Sequence, residues 1–455
     1  MKRTFNILTG RIGKFQIVLE NDHRMNFFET TNYLSGLGNE VSTMKLGLGN
    51  IEKLLVSLGS PEKDYLKIQV AGTNGKGSTC AFLEAICVSA GIEIGLTTSP
   101  HLVSITERIK INGKEISQEI FACHATKIRE TSEHLVLEKK LETVPTFFEQ
   151  ITAIALHAFA EAKVEVAILE TGLGGRFDAT TASQAEIVAI TSIDFDHQQV
   201  LGNTLDKIAT EKAAIIREDT RVVVAAQGKK AEKIIHERCT IFGVMPKTAD
   251  FAGKIVEKEK GKFIVDFQTE NAKYENVKLN LPGRHQIENA KTAILLAETL
   301  QETFKIAKEN IIEGLQTAVH KGRLEFSKNI LFDGAHNVAG AKALREFLDE
   351  FVEQPLTLVF GAMKDKDLRE IAEILFPKAD KLIFTKIDSS RSMEAAELLN
   401  FLPENFDKTN VFQTDTVKEA LELIKKTTSE IDLICITGSL YLVGEMQKHL
   451  TENNE

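Results

Sequence analysis

Apolar and polar positions along this chain fall into two alternating rhythms. Short apolar runs rich in β-branched residues predict buried strands at residues 66–71, 93–98, 164–169, 187–191 and 221–225. Between or beside them, apolar residues recur at helical spacing over 80–87, 147–162 and 204–216. Strands alternating with helices predict an α/β architecture, a mostly parallel sheet wrapped by helices. Residues 253–281 break the rhythm: runs at 254–257, 262–268 and 277–281, joined by polar turns, predict a small antiparallel patch. Helical spacing returns at 287–300 and 307–319. After Lys321-Gly322-Arg323 the alternation restarts, with strands expected at 330–333, 356–361, 381–385, 409–413 and 433–437. Helices are expected between them at 339–352, 367–375, 393–399 and 416–427. We therefore expect two domains, residues 1–318 and 319–455, the second a doubly wound Rossmann-like unit.

Bulk properties narrow the function classes. A chain of 455 residues is too long for one ordinary core, in keeping with two domains. Apolar content of 43% with evenly spread charge fits a soluble globular protein. A net charge of −10 counts against nonspecific binding to nucleic acid or anionic membrane, while a local basic cluster remains able to take an anionic substrate. The cysteines Cys80, Cys87, Cys123, Cys239 and Cys435 are scattered, with no C-x-x-C, and read as reduced thiols. No apolar run is long enough to span a membrane, and Lys2 and Arg3 are not followed by a signal-peptide segment, so a cytoplasmic location is expected. Residues 1–24 carry little readable pattern, and Met25 is an alternative to Met1 as the native start.

The segment Val70-Ala71-Gly72-Thr73-Asn74-Gly75-Lys76-Gly77-Ser78-Thr79 reads as a strand, a glycine-rich turn and the first turn of a helix. Such a turn cradles a nucleotide triphosphate: backbone N–H groups and the helix dipole face the phosphates. Lys76 reaches the terminal phosphates, and Ser78 or Thr79 offers a hydroxyl to Mg²⁺. The N-terminal domain is thus expected to be a P-loop ATPase domain, with ATP held by Gly72, Thr73, Asn74, Gly75, Lys76, Gly77, Ser78 and Thr79. In the general pattern Ser or Thr directly follows the lysine; here Gly77 intervenes, pointing to a subclass rather than to an ordinary GTPase or motor ATPase.

Further polar groups sit near predicted strand ends. Ser99-Pro100-His101-Leu102 follows one strand, and Glu170-Thr171-Gly172-Leu173-Gly174-Gly175-Arg176-Phe177-Asp178 forms a second glycine-rich loop. A dinucleotide-fold reading of those glycines is weak, because the spacing is wrong and no helix follows. Glu149 lies in an apolar helix, where a carboxylate either caps or serves a site. Asp196-His197 follows another strand. Lys212 reads locally as a solvated helix lysine. His285 and Asn289, four apart, either take a base or satisfy each other. Asp333-Gly334-Ala335-His336-Asn337 and the turn 360–367 are strand-end sites or simply turn and cap residues.

Taken in order, these segments resemble the Mur ligase superfamily and, within it, folylpolyglutamate synthase and dihydrofolate synthase. The strings are GTNGKGS at 72–78, SPHL and TERIKING at 99–113, ETGLGGRFDAT at 170–180, DH at 196–197, EKA at 211–213, HQIENA at 285–290, GR at 322–323, DGAHN at 333–337, MKDKD at 363–367 and TGS at 437–439. Local departures are Ser390-Arg391-Ser392, where the family often has Pro-Arg-Ala, and Lys321, where proline is common.

The resemblance implies an ATP-dependent ligase that adds L-glutamate to dihydropteroate, to tetrahydrofolate, or to both. It implies Lys76 on the ATP phosphates, Ser99 and Glu149 on a first Mg²⁺ with Ser78 or Thr79 near it, and His197 on a second. It implies carbamylation of Lys212, and Asn289, Arg323, Asp333 and His336 completing the nucleotide site, with Lys76, Lys212, Asp333 and His336 as the catalytic set. Family members are commonly monomers. A cell-wall Mur ligase fits less well, since too little chain precedes Gly72 for a nucleotide-sugar domain. A non-catalytic ATP-binding regulator would be expected to lack Lys76, Ser99, Glu149, His197 and Lys212, all of which are present. A nucleic-acid motor conflicts with the acidic charge and the altered phosphate loop.

Overall fold

The computed structural model describes residues 24–38, 47–404, 406–429 and 431–452. Residues 1–23, on which the question of the native start turns, lie outside the described residues.

The first sheet has eight strands: β1 (Leu66–Ala71), β2 (Ile94–Thr97), β3 (Ile109–Ile111), β4 (Lys114–Glu115), β5 (Val166–Glu170), β6 (Ile187–Ile190), β7 (Arg221–Ala225) and β8 (Pro246–Ala249). Their order is β4-β3-β2-β5-β1-β6-β7-β8, parallel from β2 to β8 with β3 and β4 as an antiparallel edge. β5, β6 and the central part of β1 are buried on both faces, which is why they read as unbroken apolar runs.

The antiparallel patch is a separate sheet of β9 (Ala252–Glu259), β10 (Lys262–Gln268) and β11 (Lys273–Lys278). Its third strand ends at Lys278 rather than running over 277–281. The alternating Val277, Leu279 and Leu281 are all buried, so the pattern reads onward. The backbone nevertheless leaves the sheet: Asn280 N donates to Leu315 O at 3.1 Å, and Pro282 has no N–H to continue a ladder.

The second parallel unit contains β12 (Glu325–Ser327), β13 (Ile330–Phe332), β14 (Leu356–Phe360), β15 (Lys381–Thr385), β16 (Val411–Thr414) and β17 (Leu433–Thr437), in the order β12-β13-β17-β14-β15-β16. Only β12 is antiparallel. Apolar clusters line both faces of this sheet. The helices Gln118–Leu137, Lys229–Ile241 and Leu440–Glu452 go beyond those read from periodicity. Among the described residues no helix is long and apolar enough to cross a membrane.

Contacts on two sides help set the units against each other. The small sheet meets the helix Val338–Phe351, with Phe263 and Phe351 edge to face at 5.7 Å and Arg284 Nε 2.7 Å from Glu350 Oε2. On the other side Leu102, in the loop after β2, packs on the helix Leu440–Glu452 at Gly444. A Cβ at Gly444 would lie 2.0 Å from the Leu102 carbonyl oxygen, so only glycine admits this approach.

Candidate active site

The carboxyl ends of both sheets open onto one cavity of about 450 Å³. Loops after β1, β2, β5 and β6 form one wall, and loops after β13, β14 and β17 form the other. Parallel sheets hold ligands at this edge because strand-to-helix loops gather there.

The phosphate loop is shaped by two glycines. Gly72 has φ 153°, and a Cβ on it would lie 1.8 Å from Thr191 Oγ1; Gly75 has φ 86°, with a Cβ 2.2 Å from Asn289 Oδ1. Thr73 N and Asn74 N donate to Ser192 O at 2.8 and 3.2 Å, which ties the loop to the segment after β6. The first-turn amides of the helix Lys76–Ser89 have no intrahelical acceptor. Asn74 Nδ2 is buried without a hydrogen-bond partner. A polyphosphate supplies the acceptors these donors lack, so the loop fits ATP. Lys76 Nζ donates to Gly72 O and Thr73 O, each at 3.1 Å, which holds its charge over the loop.

Ser78, Ser99 and His197 line the cavity, as does Glu170, which local pattern did not single out. Glu170 ends β5, the neighbour of both β1 and β2, and its Oε2 accepts from Ser99 N at 3.1 Å. A carboxylate closing a buried strand beside the phosphate-loop strand is the signal that marks it. Glu149 does not line the cavity. Its Oε2 accepts from Thr146 N at 2.7 Å and Thr146 Oγ1 at 2.8 Å, a capping box that closes the helix Phe147–Glu161. Of the two readings open for Glu149, the structure supports the cap. Thr79 likewise turns into the core, fully buried, and leaves Ser78 as the cavity hydroxyl.

His197 sits at φ 49°; burial pulls its imidazole down to about 4 against the attraction of Asp196, so it is neutral near pH 7. Among the described residues no three His, Cys, Asp or Glu side chains form a metal cage. Hydroxyls, one carboxylate and one imidazole suit a hard cation that takes much of its shell from water and phosphate.

Lys212 is not a solvated helix lysine. It is 5% exposed, and its Nζ donates to Gly72 O at 2.7 Å. Burial, reinforced by the Lys76 charge, lowers its amine to about 7 despite Asp196 and Asp178.

A cross-wall cluster centres on Asp196. Lys366 Nζ lies 2.7 Å from Asp196 Oδ1, Asn337 Nδ2 donates to Oδ2 at 3.1 Å, and His336 Nε2 stands 3.5 Å from Oδ2. Asn337 Nδ2 also donates to Asn74 Oδ1 at 3.0 Å. Burial works to raise the Asp196 carboxyl, but the hydrogen bond and charge of His336, with Lys366 and His197, hold it well below the usual carboxylate range. Asp196 and Lys366 lie in motifs visible in the sequence, but their meeting across the cavity is not.

His285 and Asn289 also face the cavity, but they do not satisfy each other. Gln286 stands between them, accepting from Asn289 Nδ2 at 2.9 Å and placing its Nε2 3.1 Å from His285 Nε2. Arg323 lines the cavity and donates to Gly334 O at 3.3 Å. Asp333 lines it too, while its two oxygens accept from Leu324 N at 2.9 Å and Ala335 N at 3.0 Å and fasten the linker to the end of β13.

Residues 70–297 match the Mur ligase middle domain family, and residues 316–449 match the dihydrofolate synthetase C-terminal domain family. The chain is 34% identical over 430 residues to the dihydrofolate synthase/folylpolyglutamate synthase of Bacillus subtilis, covering 90% of this chain and 95% of that protein. Its fold matches Mycobacterium tuberculosis folylpolyglutamate synthase complexed with ADP, with a TM-score of 0.86 at 28% identity over 93% of this chain and 98% of that one. It also matches the bifunctional folylpolyglutamate synthase/dihydrofolate synthase of Yersinia pestis complexed with AMPPNP and Mn ion, with a TM-score of 0.80 at 27% identity over 93% and 98% of the two chains.

Proposed function

We infer that this chain, which belongs to the dihydrofolate synthase/folylpolyglutamate synthase family of Mur ligases, is an ATP-dependent ligase that joins L-glutamate in amide linkage to dihydropteroate, to a reduced folate, or to both. The observation that carries this reading is the single cavity with a phosphate loop on one wall and the Asp333–Asn337 turn on the other.

A carboxylate is a poor electrophile, and ATP overcomes this. A substrate carboxylate oxygen attacks the γ-phosphorus, the bond to the bridging oxygen breaks, and ADP leaves. The glutamate amine then attacks the acyl carbon, phosphate departs with the electron pair of the carbon–oxygen bond, and the proton lost from nitrogen is taken up by the departing phosphate. The protein's part is positioning and charge. The phosphate-loop amides and Lys76 bind the polyphosphate. Lys366 brings positive charge and His336 a ring nitrogen from the opposite wall, and the two walls together exclude water from the acyl phosphate. Asn289 and Arg323 are assigned to the nucleotide. Ser78, Ser99 and Glu170 are assigned to a first Mg²⁺ and His197 to a second; the bound cation neutralises phosphate charge. We further propose a monomer of two domains dividing near residue 318, working in the cytoplasm on small molecules, with neither nucleic acid nor membrane as a partner.

The test is ATP-dependent phosphate release by the purified protein with Mg²⁺ and L-glutamate, using dihydropteroate or tetrahydrofolate as acceptor, with products identified by mass. Turnover with both gives a bifunctional enzyme, and turnover with one fixes the step. Acceptor-independent release, or none, overturns the reading.

Carbamylation of Lys212 is part of the proposal, and its low basicity supports it. A neutral amine attacks CO₂ to give a carbamate and a proton. With the amine titrating at about 7, its neutral fraction rises from roughly a tenth at about pH 6 to roughly nine-tenths at about pH 8. Removing CO₂ is therefore expected to lower turnover, and its return at a fixed dissolved CO₂ concentration is expected to restore turnover faster as pH rises through this window. Lys212→Gln is expected to show no response. Incorporation of isotope-labelled bicarbonate checks the adduct, and CO₂-independent turnover would remove it.

A further inference from the structure

The glycine between Lys76 and Ser78 is the feature of the phosphate loop that the ligase reading leaves unexplained. The ring of His320 lies against it: a Cβ on Gly77 would meet His320 Cε1 at 2.6 Å and Nε2 at 2.8 Å. His320 belongs to the segment that leads from the helix Lys308–Thr317 into β12. Its Nδ1 is 3.1 Å from Ser78 Oγ.

The side chains behind Ser78 limit what that hydrogen bond leaves free on the hydroxyl. Gln286 is fully buried. Its carbonyl oxygen accepts from Asn289 Nδ2 at 2.9 Å, which turns its Nε2 towards Ser78 Oγ at 3.2 Å and His285 Nε2 at 3.1 Å. A serine hydroxyl has one proton and two lone pairs. Ser78 therefore spends one lone pair on Gln286. If His320 also donated, both lone pairs would be used and the oxygen would have none left for a cation. If Ser78 donates to His320 Nδ1, one lone pair remains.

We propose that His320 is a positioning residue: by accepting the Ser78 proton at Nδ1, it leaves the remaining lone pair of that hydroxyl for the divalent cation. The proposal rests on the assignment of Ser78 as a cation ligand. It also accounts for Gly77, since any side chain there would displace the ring.

The experiment measures Mn²⁺ affinity by electron paramagnetic resonance, with a non-hydrolysable ATP analogue bound, for wild type, Ser78→Ala, His320→Asn and His320→Gln. The Asn oxygen stands as many bonds from the backbone as Nδ1 and can accept the proton; the Gln oxygen is one bond further out. His320→Gln is expected to weaken Mn²⁺ binding about tenfold. His320→Asn is expected to stay within about threefold of wild type, and Ser78→Ala to lose at least as much as His320→Gln. In the two His320 variants, metal-free ADP affinity and thermal melting report on folding and are expected to change little. Equal losses in the two His320 variants, or none in His320→Gln while Ser78→Ala is weakened, would overturn the role of His320 and leave the cation site standing. Wild-type Mn²⁺ affinity in Ser78→Ala would instead overturn the ligand assignment itself. Should His320→Gln fail to melt cooperatively, His320→Asn decides, with a tenfold loss counting against the proposal.

Discussion

Lys76→Ala is expected to lower acceptor-dependent phosphate release by about 10³-fold while the protein still melts in one cooperative transition. The magnitude follows from where charge develops. The transferring phosphoryl group is stabilised by fixed charges in a water-poor site, and Lys76 is the cation held over the phosphate loop by two backbone carbonyls. Losing those two hydrogen bonds at a half-buried position costs about 1 to 2 kcal/mol, small beside a folding stability of about 5 to 15 kcal/mol. Activity and stability should therefore separate. A variant that no longer melts cooperatively, or one that turns over at the wild-type rate, would withdraw Lys76 from the chemistry.

The second large effect distinguishes two carboxylates. Glu170→Gln is expected to reduce turnover by about 10²-fold or more and to raise the Mg²⁺ concentration needed for half-maximal rate. The amide keeps the shape and can still accept from Ser99 N, but it removes the only carboxylate among the proposed donors to the first cation. Glu149→Gln should behave differently. Glutamine serves in a capping box as glutamate does, so the bond from Thr146 N survives. The expected cost is below about 1 kcal/mol in stability, with turnover close to wild type. Comparing the two variants over a Mg²⁺ titration decides the matter. Equal loss of turnover in both, or loss confined to Glu149→Gln, would reverse the assignment.

These two acids show how far local pattern reaches. Each follows or interrupts an apolar run, and for Glu170 nothing within ten residues says that it faces the ligand. Glu170 is at the cavity because β5 lies between β1 and β2 in the sheet, a neighbour relation set by packing across distant segments. Glu149 is away from it because the unpaired amides at the start of its own helix claim its carboxylate first. Lys212 has the same lesson in reverse. Its helix is polar enough to suggest a solvated side chain, yet packing buries it against Gly72 and makes its amine weakly basic.

Regular elements were most legible where their local signals were strongest. The strands Arg221–Ala225, Lys262–Gln268, Lys381–Thr385 and Leu433–Thr437 have the expected bounds, because apolar runs there end in turn-forming or charged residues. The helix Gln118–Leu137 is less legible, since its buried residues are separated by a long polar face and include Ala122, Thr126 and Ser132, whose small or polar side chains carry little hydrophobic signal.

What the sequence alone determined is the local chemistry of the phosphate loop. Glycines with the backbone freedom for a tight turn, a lysine and a hydroxyl follow one another directly, so short-range geometry suffices to make a triphosphate cradle. The alternation of strands and helices likewise fixed the α/β class, because each element must bury its apolar face against the next. Only the tertiary structure decided which distant groups share the cavity. Asn337 and Lys366 reach Asp196 from 141 and 170 residues away, and His320 reaches Ser78 across 242. The physical reason is that strand order, sheet-to-sheet packing and burial are set by the whole chain, and with them the ionisation and hydrogen-bond direction of every side chain in the site.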